Sequence, residues 1–306
     1  MRFGIFFALA LLPVFAQRPT PIIIDTDIGD SIDDAFALAL ALRSPEVDVR
    51  AVTTVTDDVE SRTRFVVKQL GVFGRRGIAV GIGAPEPLLD PIQSNHAAEF
   101  TILTAADQIP PAARRRAAEL IVETLLASPD KITLVPIGPL TNIALALKTE
   151  PRIKAKIQRI VLMGGAYTMN QPEYNIQRDH AAAQIVFQSG LPITAVGLDV
   201  TLKCKLRPKD LDRLRLADGP AAHFMMRLLE LARNESKEDF PTLHDPLAMA
   251  VVFHPELVDL AEGRVTVTAE GVTKFTAAAG ASTQVAREVR VDNFLDLLTQ
   301  RLTALR

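Results

Sequence analysis

The stretch IIIDTDIGDSIDDAFAL, from Ile22 to Leu38, decides the fold, and the rest of the chain is organised around it. Three β-branched residues open it and predict a short buried strand. Gly29 then permits the tight turn that a strand-to-helix loop often needs. The run that follows is apolar on every face, which predicts a buried helix rather than an amphipathic one.

The loop inside this stretch is strongly acidic. Its ten residues carry five carboxylates: Asp25, Asp27, Asp30, Asp33 and Asp34. Helix capping accounts for one or two of them, because a helix N-terminus favours negative charge. No Lys or Arg lies between Arg18 and Arg43, and like charges this close disfavour ionisation unless a cation lies among them. Oxygen ligands are what Ca²⁺ or Mg²⁺ selects, so the loop predicts a metal site at the end of a strand.

Composition limits the classes of function that remain. The chain has 306 residues, 48% of them hydrophobic, which supports a large α/β domain. A net charge of −2 gives no general attraction to nucleic acid or acidic lipid. The single cysteine, Cys204, excludes an intrachain disulfide framework and a multi-cysteine zinc site.

The N-terminal residues 1–16 resemble a secretory signal peptide. A basic start at Arg2 precedes an apolar run, and small residues precede Gln17. The run is shorter than the roughly 20 apolar residues of a transmembrane helix. We expect a mature chain from Gln17, a secreted or periplasmic location and no membrane attachment after cleavage, with an uncleaved signal anchor as the alternative.

Strand-like and helix-like segments alternate after the acidic loop. Strands are predicted over Val47–Val55, Ile78–Ile82, Ile132–Val135, Ile160–Met163 and Ile193–Val196. Helices are predicted over Asp58–Phe73, Ala112–Ala127, Leu140–Leu147 and His180–Ser189. The alternation favours an α/β fold with an open, mostly parallel, Rossmann-like sheet flanked by helices, as a single domain over residues 17–306. Such sheets bind ligands at the carboxyl ends of their strands.

Two further pairs of polar residues attract attention. Glu173 and Asn175 flank Tyr174 and point to one side of an extended segment, which suits vicinal hydroxyls, although an ordinary polar loop has the same composition. His244 and Asp245 precede an apolar helix. They offer a further metal carboxylate and a titratable acid, or simply a helix cap beside a surface histidine.

Five segments in register resemble the nucleoside hydrolase family, in its inosine–uridine-preferring type. They are IIIDTDIGDSIDDAFAL, ITLVPIGPLTNIALAL, IVLMGGAY, PEYNI with Asp179, and HDPLA, and the resemblance spans roughly residues 21–255. It implies Ca²⁺-dependent hydrolysis of the N-glycosidic bond of ribonucleosides to free base and ribose. It also implies a small-molecule ribonucleoside as the partner and a homo-oligomer, as a dimer or tetramer.

The resemblance also assigns roles to individual residues. The implied Ca²⁺ ligands are the carboxylates of Asp27, Asp34 and Asp245 and the carbonyl of Ile137. Asp27 is implied to accept the proton of the attacking water, and His244 to be the acid for the leaving base. The implied substrate-binding residues are Asp33, Asp58, Met163, Glu173 and Asn175.

The chain departs from the family pattern in several places. Five residues separate Asp27 from Asp33, which is a two-residue insertion that leaves Asp30 and Ser31 without assigned roles. Asp58 stands where the family has Asn, and His180 replaces a Pro. The usual base-recognition segment is missing, and SNHAAEF, with His96, stands near its place. The sequence therefore predicts the metal and ribose half of the site but no base preference.

Two other functions remain as alternatives. A haloacid-dehalogenase-like phosphatase also carries a DxD motif after an apolar strand, but its second acidic pair is distant and PIGPLTN is unexplained. A secreted calcium-dependent ribonucleoside- or ribose-binding protein would keep the same residues without turnover. Phosphate release from phosphoesters would identify the phosphatase, and ribose release from ribonucleosides would separate a nucleoside hydrolase from the binding protein.

Overall fold

The computed structural model describes residues 18–29, 31–89, 98–236 and 239–304. The predicted signal peptide, Asp30 and His96 lie outside the described residues. In the part of the chain that is described, none of the helices is both long and apolar enough to cross a membrane.

The described strands form one ten-stranded sheet. They are β1 (Thr20–Thr26), β2 (Val47–Thr54), β3 (Ala79–Ile82), β4 (Arg115–Arg116), β5 (Ile132–Pro136), β6 (Ile157–Met163), β7 (Ile193–Val196), β8 (Val258–Val267), β9 (Thr273–Ala277) and β10 (Thr283–Val289). Their order is β4-β3-β2-β1-β5-β6-β7-β10-β8-β9. All pairs are parallel except β8 with β10 and β8 with β9. The predicted fold class is confirmed.

Helices cover both faces of this sheet. They are α1 (Ile32–Arg43), α2 (Val59–Val72), α3 (Ala117–Ala127), α4 (Thr141–Thr149), α5 (Tyr174–Arg178), α6 (His180–Phe187), α7 (Leu198–Thr201), α8 (Pro208–Leu216), α9 (Pro220–Ser236), α10 (His244–Phe253) and α11 (Val291–Thr303). One apolar core contains α1 and α10, and the core on the other face contains α3 and α4.

The strand predicted from the opening stretch lies at the centre of the parallel part of the sheet. β1 pairs with β2 on one side and β5 on the other. Side chains alternate along a strand, so Ile22 and Ile24 enter the first core and Ile23 enters the second. Helix α1 is buried along its length as far as Leu42, as its uniformly apolar sequence predicts.

The segment before α3 differs from the prediction. The sequence predicts a helix from Ala112, but a 3₁₀ turn covers Pro111–Ala113 and Arg115–Arg116 form the edge strand β4. Consecutive arginines are unfavourable in the first turn of a helix, where the dipole is positive. Arg115 instead pairs with Gly81 of β3, so the two arginines adopt an extended conformation. The helix begins only at Ala117.

Candidate functional site

Three carboxylates from two distant segments of the chain meet at the carboxyl edge of the sheet. Asp33 and Asp34 lie in the first turn of α1, and Asp245 lies in the first turn of α10. One oxygen of each lies within 4.8 Å of the others. All three side chains are buried, at 2%, 3% and 4% exposure. The predicted metal residues Asp34 and Asp245 are therefore brought together, and Asp33 joins them.

Asp27 belongs to the same cluster. It follows β1 and packs against Gly138, the residue after Ile137, so closely that a Cβ at Gly138 would lie 2.7 Å from the Oδ1 atom of Asp27. Its charge contributes to the raised pKa of both Asp34 and Asp245. Four acidic side chains thus share one buried region, which we call the acidic cluster: Asp27, Asp33, Asp34 and Asp245.

Asp33 connects the two helices that carry the cluster. Its Oδ2 atom accepts hydrogen bonds from the backbone N–H groups of His244, at 3.0 Å, and Asp245, at 3.1 Å. The hydroxyl of Ser31 donates to its Oδ1 atom. The insertion thus places a serine against the residue that the sequence assigned to ribose binding.

A buried arginine that sequence reasoning missed supports the turn between β1 and α1. Arg62 of α2 is 1% exposed, and it donates to the carbonyl of Asp27, to that of Ile28 at 3.0 Å and to that of Thr56 at 2.8 Å. Burial raises the pKa of Asp34, and the positive charge of Arg62 offsets a small part of this rise. No sequence signal separates Arg62 from the exposed arginines nearby.

A second missed contact joins the loop after β2 to α5. The side chain of Asp57 forms an ion pair with Arg178, and its Oδ2 atom lies 3.9 Å from a nitrogen of Arg62. Asp57 adopts a positive φ of 55°, which is uncommon for a residue other than glycine. The two arginines therefore hold the loop after β2 against both the acidic loop and the segment that contains Asn175.

The residues predicted to bind ribose lie at the end of β6. Glu173 is the N-cap of α5 and accepts backbone N–H groups from Gly165, Asn175 and Ile176 at 2.9, 2.9 and 3.1 Å. Asn175 donates through Nδ2 to the carbonyl of Ile137 at 3.0 Å. A carbonyl oxygen has two lone pairs, so that of Ile137 keeps one for a further partner.

The remaining predicted substrate residues have clear positions. Met163 is 4% exposed, and its carbonyl oxygen lies 3.3 Å from Nδ2 of Asn175. This places Met163 beside the segment that is predicted to bind ribose. Asp58 is the N-cap of α2, where its Oδ1 atom accepts the N–H of Ser61 at 3.0 Å. One of its carboxylate oxygens is thus engaged in capping.

His244 is half-buried at the start of α10, next to the acidic cluster. Its Nδ1 atom lies 2.8 Å from the Oγ1 atom of Thr201, a buried residue of α7 that sequence reasoning missed. A partner on Nδ1 fixes the ring and leaves Nε2 for another contact. His180 lies near Glu270, whose pKa is lowered mainly by a hydrogen bond with the Thr268 side chain and to a smaller extent by His180.

The electrostatics of the cluster favour a cation. Burial raises the pKa of Asp34 well above its usual range, and the charges of Asp27 and Asp33 raise it further. Burial raises the pKa of Asp245 in the same way, with contributions from Asp33, Asp34, Asp27 and Glu173. A set of carboxylate oxygens with a nearby carbonyl matches the ligands that hard divalent cations take. The residues present therefore fit a Ca²⁺ or Mg²⁺ ion.

These pKa directions predict how a divalent cation affects stability. The folded, cation-free protein holds protons on Asp34, Asp245 and Glu173 that the unfolded chain releases above about pH 4. The contribution of these groups to the free energy of unfolding of the cation-free protein therefore falls as pH rises through their folded-state pKa values. Thermal unfolding at pH 5 and pH 8 should show that Ca²⁺ stabilises the protein more at pH 8, and equal stabilisation at both would contradict the cluster as the binding site.

Asp25 lies behind the cluster and forms a separate polar network. Its Oδ1 atom accepts from Thr53 at 2.6 Å and from Asn142 at 2.8 Å, and Asn142 also donates to the carbonyl of Thr54 at 2.7 Å. Burial raises the pKa of Asp25 to about 7, although the hydrogen bonds from Thr53 and Asn142 act to lower it. Asn142 thus ties the end of β1 to the end of β2, beneath the residues of the site.

Known proteins resemble the chain over almost its full length. A pyrimidine-specific ribonucleoside hydrolase RihA from Klebsiella pneumoniae is 37% identical, with 92% of this chain and 98% of that protein covered. The corresponding protein from Citrobacter koseri is 34% identical, with 92% and 97% covered.

Solved structures agree with these sequences. A plant nucleoside hydrolase superposes with a TM-score of 0.81 at 30% identity, covering 94% of this chain and 100% of that one. A purine-preferring ribonucleoside hydrolase from Gardnerella vaginalis gives 0.82 at 29% identity, covering 93% and 98%. The sequence model of the family described as inosine-uridine preferring nucleoside hydrolase matches residues 22–296 of this chain. The chain therefore belongs to the inosine-uridine preferring nucleoside hydrolase family, whose members are N-glycosyl hydrolases.

Proposed function

We propose that this chain hydrolyses the N-glycosidic bond of ribonucleosides at the acidic cluster, with Ca²⁺ as the cofactor. The observation that carries the proposal is the convergence of Asp33, Asp34 and Asp245 within 4.8 Å, with the charge of Asp27 acting on two of them. Asp27, Asp34 and Asp245, with the Ile137 carbonyl, would hold the ion. A bound divalent cation neutralises the carboxylates and lowers the pKa of water.

The protein's own residues supply the remaining chemistry. Asp27 takes the proton of the attacking water as a general base, a role typically worth about 10²–10⁴ in rate. The sugar becomes oxocarbenium-like as the bond to the base breaks. Asn175 and Glu173 lie at one side of the cluster, where they would hold ribose hydroxyls. Asp33 and Met163 would line the same sugar site.

His244 acts on the leaving base in this proposal. It lies at the start of α10, beside Asp245, and its Nδ1 atom lies 2.8 Å from the Oγ1 atom of Thr201. In the protonated ring, Nδ1–H donates to the Thr201 hydroxyl, and the Nε2–H group is available to protonate a departing purine or pyrimidine. A protonated imidazole is a common general acid in enzymes that work near neutral pH.

The test is a reducing-sugar assay on the mature protein with purine and pyrimidine ribonucleosides. We expect stoichiometric ribose and free base. Nucleoside binding without release of ribose would support a binding protein instead. The relatives' names include both pyrimidine-specific and purine-preferring enzymes, so they leave the base open.

We also propose export and self-association. The basic and apolar residues 1–16 support cleavage before Gln17 and a secreted or periplasmic enzyme. N-terminal sequencing of the exported protein and its mass in solution would test cleavage and a dimer or tetramer.

A further inference from the structure

The antiparallel hairpin formed by β8 and β9 lies against the segment that is predicted to bind ribose. The two strands are joined by a turn at residues 268–272. Within this turn, the N–H of Thr268 lies at the start and the carbonyl of Val272 at the end. The N–H of Thr268 donates to that carbonyl at 2.9 Å. Val272 also forms an antiparallel bridge with Pro172, the residue before Glu173. The hairpin, which has no part in the proposed chemistry, therefore contacts the substrate-binding segment directly.

A glycine in the turn allows this close approach. Gly271 has a φ of +80°, and a Cβ there would lie 2.5 Å from the Cα atom of Gln177 in α5. Both the left-handed backbone and the lack of space therefore require glycine. The side chain of Gln184 in α6 donates to the carbonyl of Val267, at the end of β8, at 3.0 Å. The turn is thus fixed on the two helices that follow Glu173.

The first residue of β9 continues the contact inside the protein. Thr273 is 4% exposed, and its Oγ1 atom accepts the backbone N–H of Ala166 at 2.9 Å. Ala166 is buried, so water cannot replace this acceptor. The preceding residue, Gly165, donates its N–H to the Oε2 atom of Glu173 at 2.9 Å. The Thr273 hydroxyl therefore holds the loop after β6 at the residue next to the one that contacts Glu173.

The contact with Gly165 sets the Glu173 carboxylate relative to the sheet. Its other two backbone donors, Asn175 and Ile176, belong to α5, the helix that Glu173 caps. Gly165 instead belongs to the loop after β6, so a shift of that loop would move the carboxylate. A group that grips a substrate must be held within about 0.5 Å of its productive position.

We propose that Thr273 is a positioning residue that sets the Glu173 carboxylate for a ribose hydroxyl, through the backbone of residues 165–166. This inference rests on the proposed function, in which Glu173 holds the ribose. Removal of the Thr273 hydroxyl leaves the N–H of Ala166 buried without its acceptor, and the loop must shift to satisfy it. The effect falls on the sugar and is independent of the leaving base.

The first test uses Thr273→Val, which keeps the β-branched shape and removes the hydroxyl. We expect kcat/KM to fall by about 10-fold on ribonucleosides and on nitrophenyl riboside alike, as for one lost buried hydrogen bond. Thr273→Ser retains the hydroxyl and should restore most of the rate. Thr276→Val, an exposed change on the same strand, is the matched control and should keep the wild-type rate. A wild-type rate in Thr273→Val would overturn the inference.

A double-mutant cycle distinguishes positioning from a general structural role. Glu173→Gln removes the negative charge that would hold the ribose hydroxyl. In this background Thr273→Val should cause little further loss of kcat/KM, because both changes act through one contact. A further 10-fold loss in the double variant would make Thr273 a structural residue only and would contradict the proposal. If Thr273→Val does not fold, Gly271→Ala replaces it in the same cycle with the same expectations, because it displaces the same turn.

Calorimetry with free ribose separates this inference from the proposed function, because it needs no turnover. Weaker binding of ribose by Thr273→Val, with Thr273→Ser close to wild type, would support the inference even in a protein that releases no ribose from nucleosides. Equal binding of ribose by wild type and both variants would overturn it.

Discussion

Asp27→Asn should reduce hydrolysis of nucleosides and of nitrophenyl riboside alike, by at least the 10²–10⁴-fold that is typical of a lost general base. The asparagine amide cannot take a proton from water. It also removes one negative charge from the acidic cluster, which weakens cation binding. Both defects impair activation of the attacking water and do not involve protonation of the leaving group. The rates on the two substrates should therefore fall by the same factor. Steady-state kcat/KM on both substrates measures the effect.

The same substitution should not unfold the protein. Asp27 raises the pKa of both Asp34 and Asp245, so its removal relieves like-charge repulsion in the cation-free state. We therefore expect the free energy of unfolding in chelator to stay constant or rise. Asp48→Asn, on an exposed carboxylate of β2, is the matched control and should keep wild-type activity. Retention of wild-type activity by Asp27→Asn would remove Asp27 from the chemistry.

His244→Ala should slow hydrolysis of nucleosides much more than hydrolysis of nitrophenyl riboside. A purine or pyrimidine anion leaves poorly, so loss of its acid should slow nucleoside hydrolysis by about 10² or more. A nitrophenolate leaves without a proton, so nitrophenyl riboside should lose at most a few-fold. The contact that joins α10 to Asp33 uses the backbone N–H of His244, which alanine retains. The acidic cluster should therefore survive the change, and single-substrate kinetics on each compound measure the split.

His223→Ala, on an exposed histidine of α9, provides the control for loss of an imidazole. An equal fall on both substrates would show that His244 supports the structure or the cation. Unchanged rates on both would place the acid elsewhere, with His96 and His180 as the next candidates.

The sequence was most informative where function depends on neighbouring residues. Ile22 to Leu38 predicted the buried strand, the acidic loop and the buried helix, because hydrophobicity and charge are local properties. The pair His244–Asp245 was identified for the same reason, and the structure places Asp245 with Asp33 and Asp34.

The missed residues depend on contacts between distant segments. Arg62 reaches carbonyls 34 and 35 residues away, and Asp57 pairs with Arg178 across 121 residues. Thr201 is an ordinary residue in sequence, and only packing places it beside His244. An arginine on a helix is usually solvated, so no pattern distinguishes Arg62 from Arg64.

The central claim is that Ca²⁺ at the acidic cluster supports hydrolysis. The most direct measurement is ribose release by protein stripped with chelator, followed by titration with Ca²⁺ while binding is recorded by calorimetry. We expect activity to vanish on stripping and to return in proportion to the binding of one Ca²⁺ per chain, with both effects lost in Asp245→Asn. Full activity in a preparation shown to be free of metal would contradict the account.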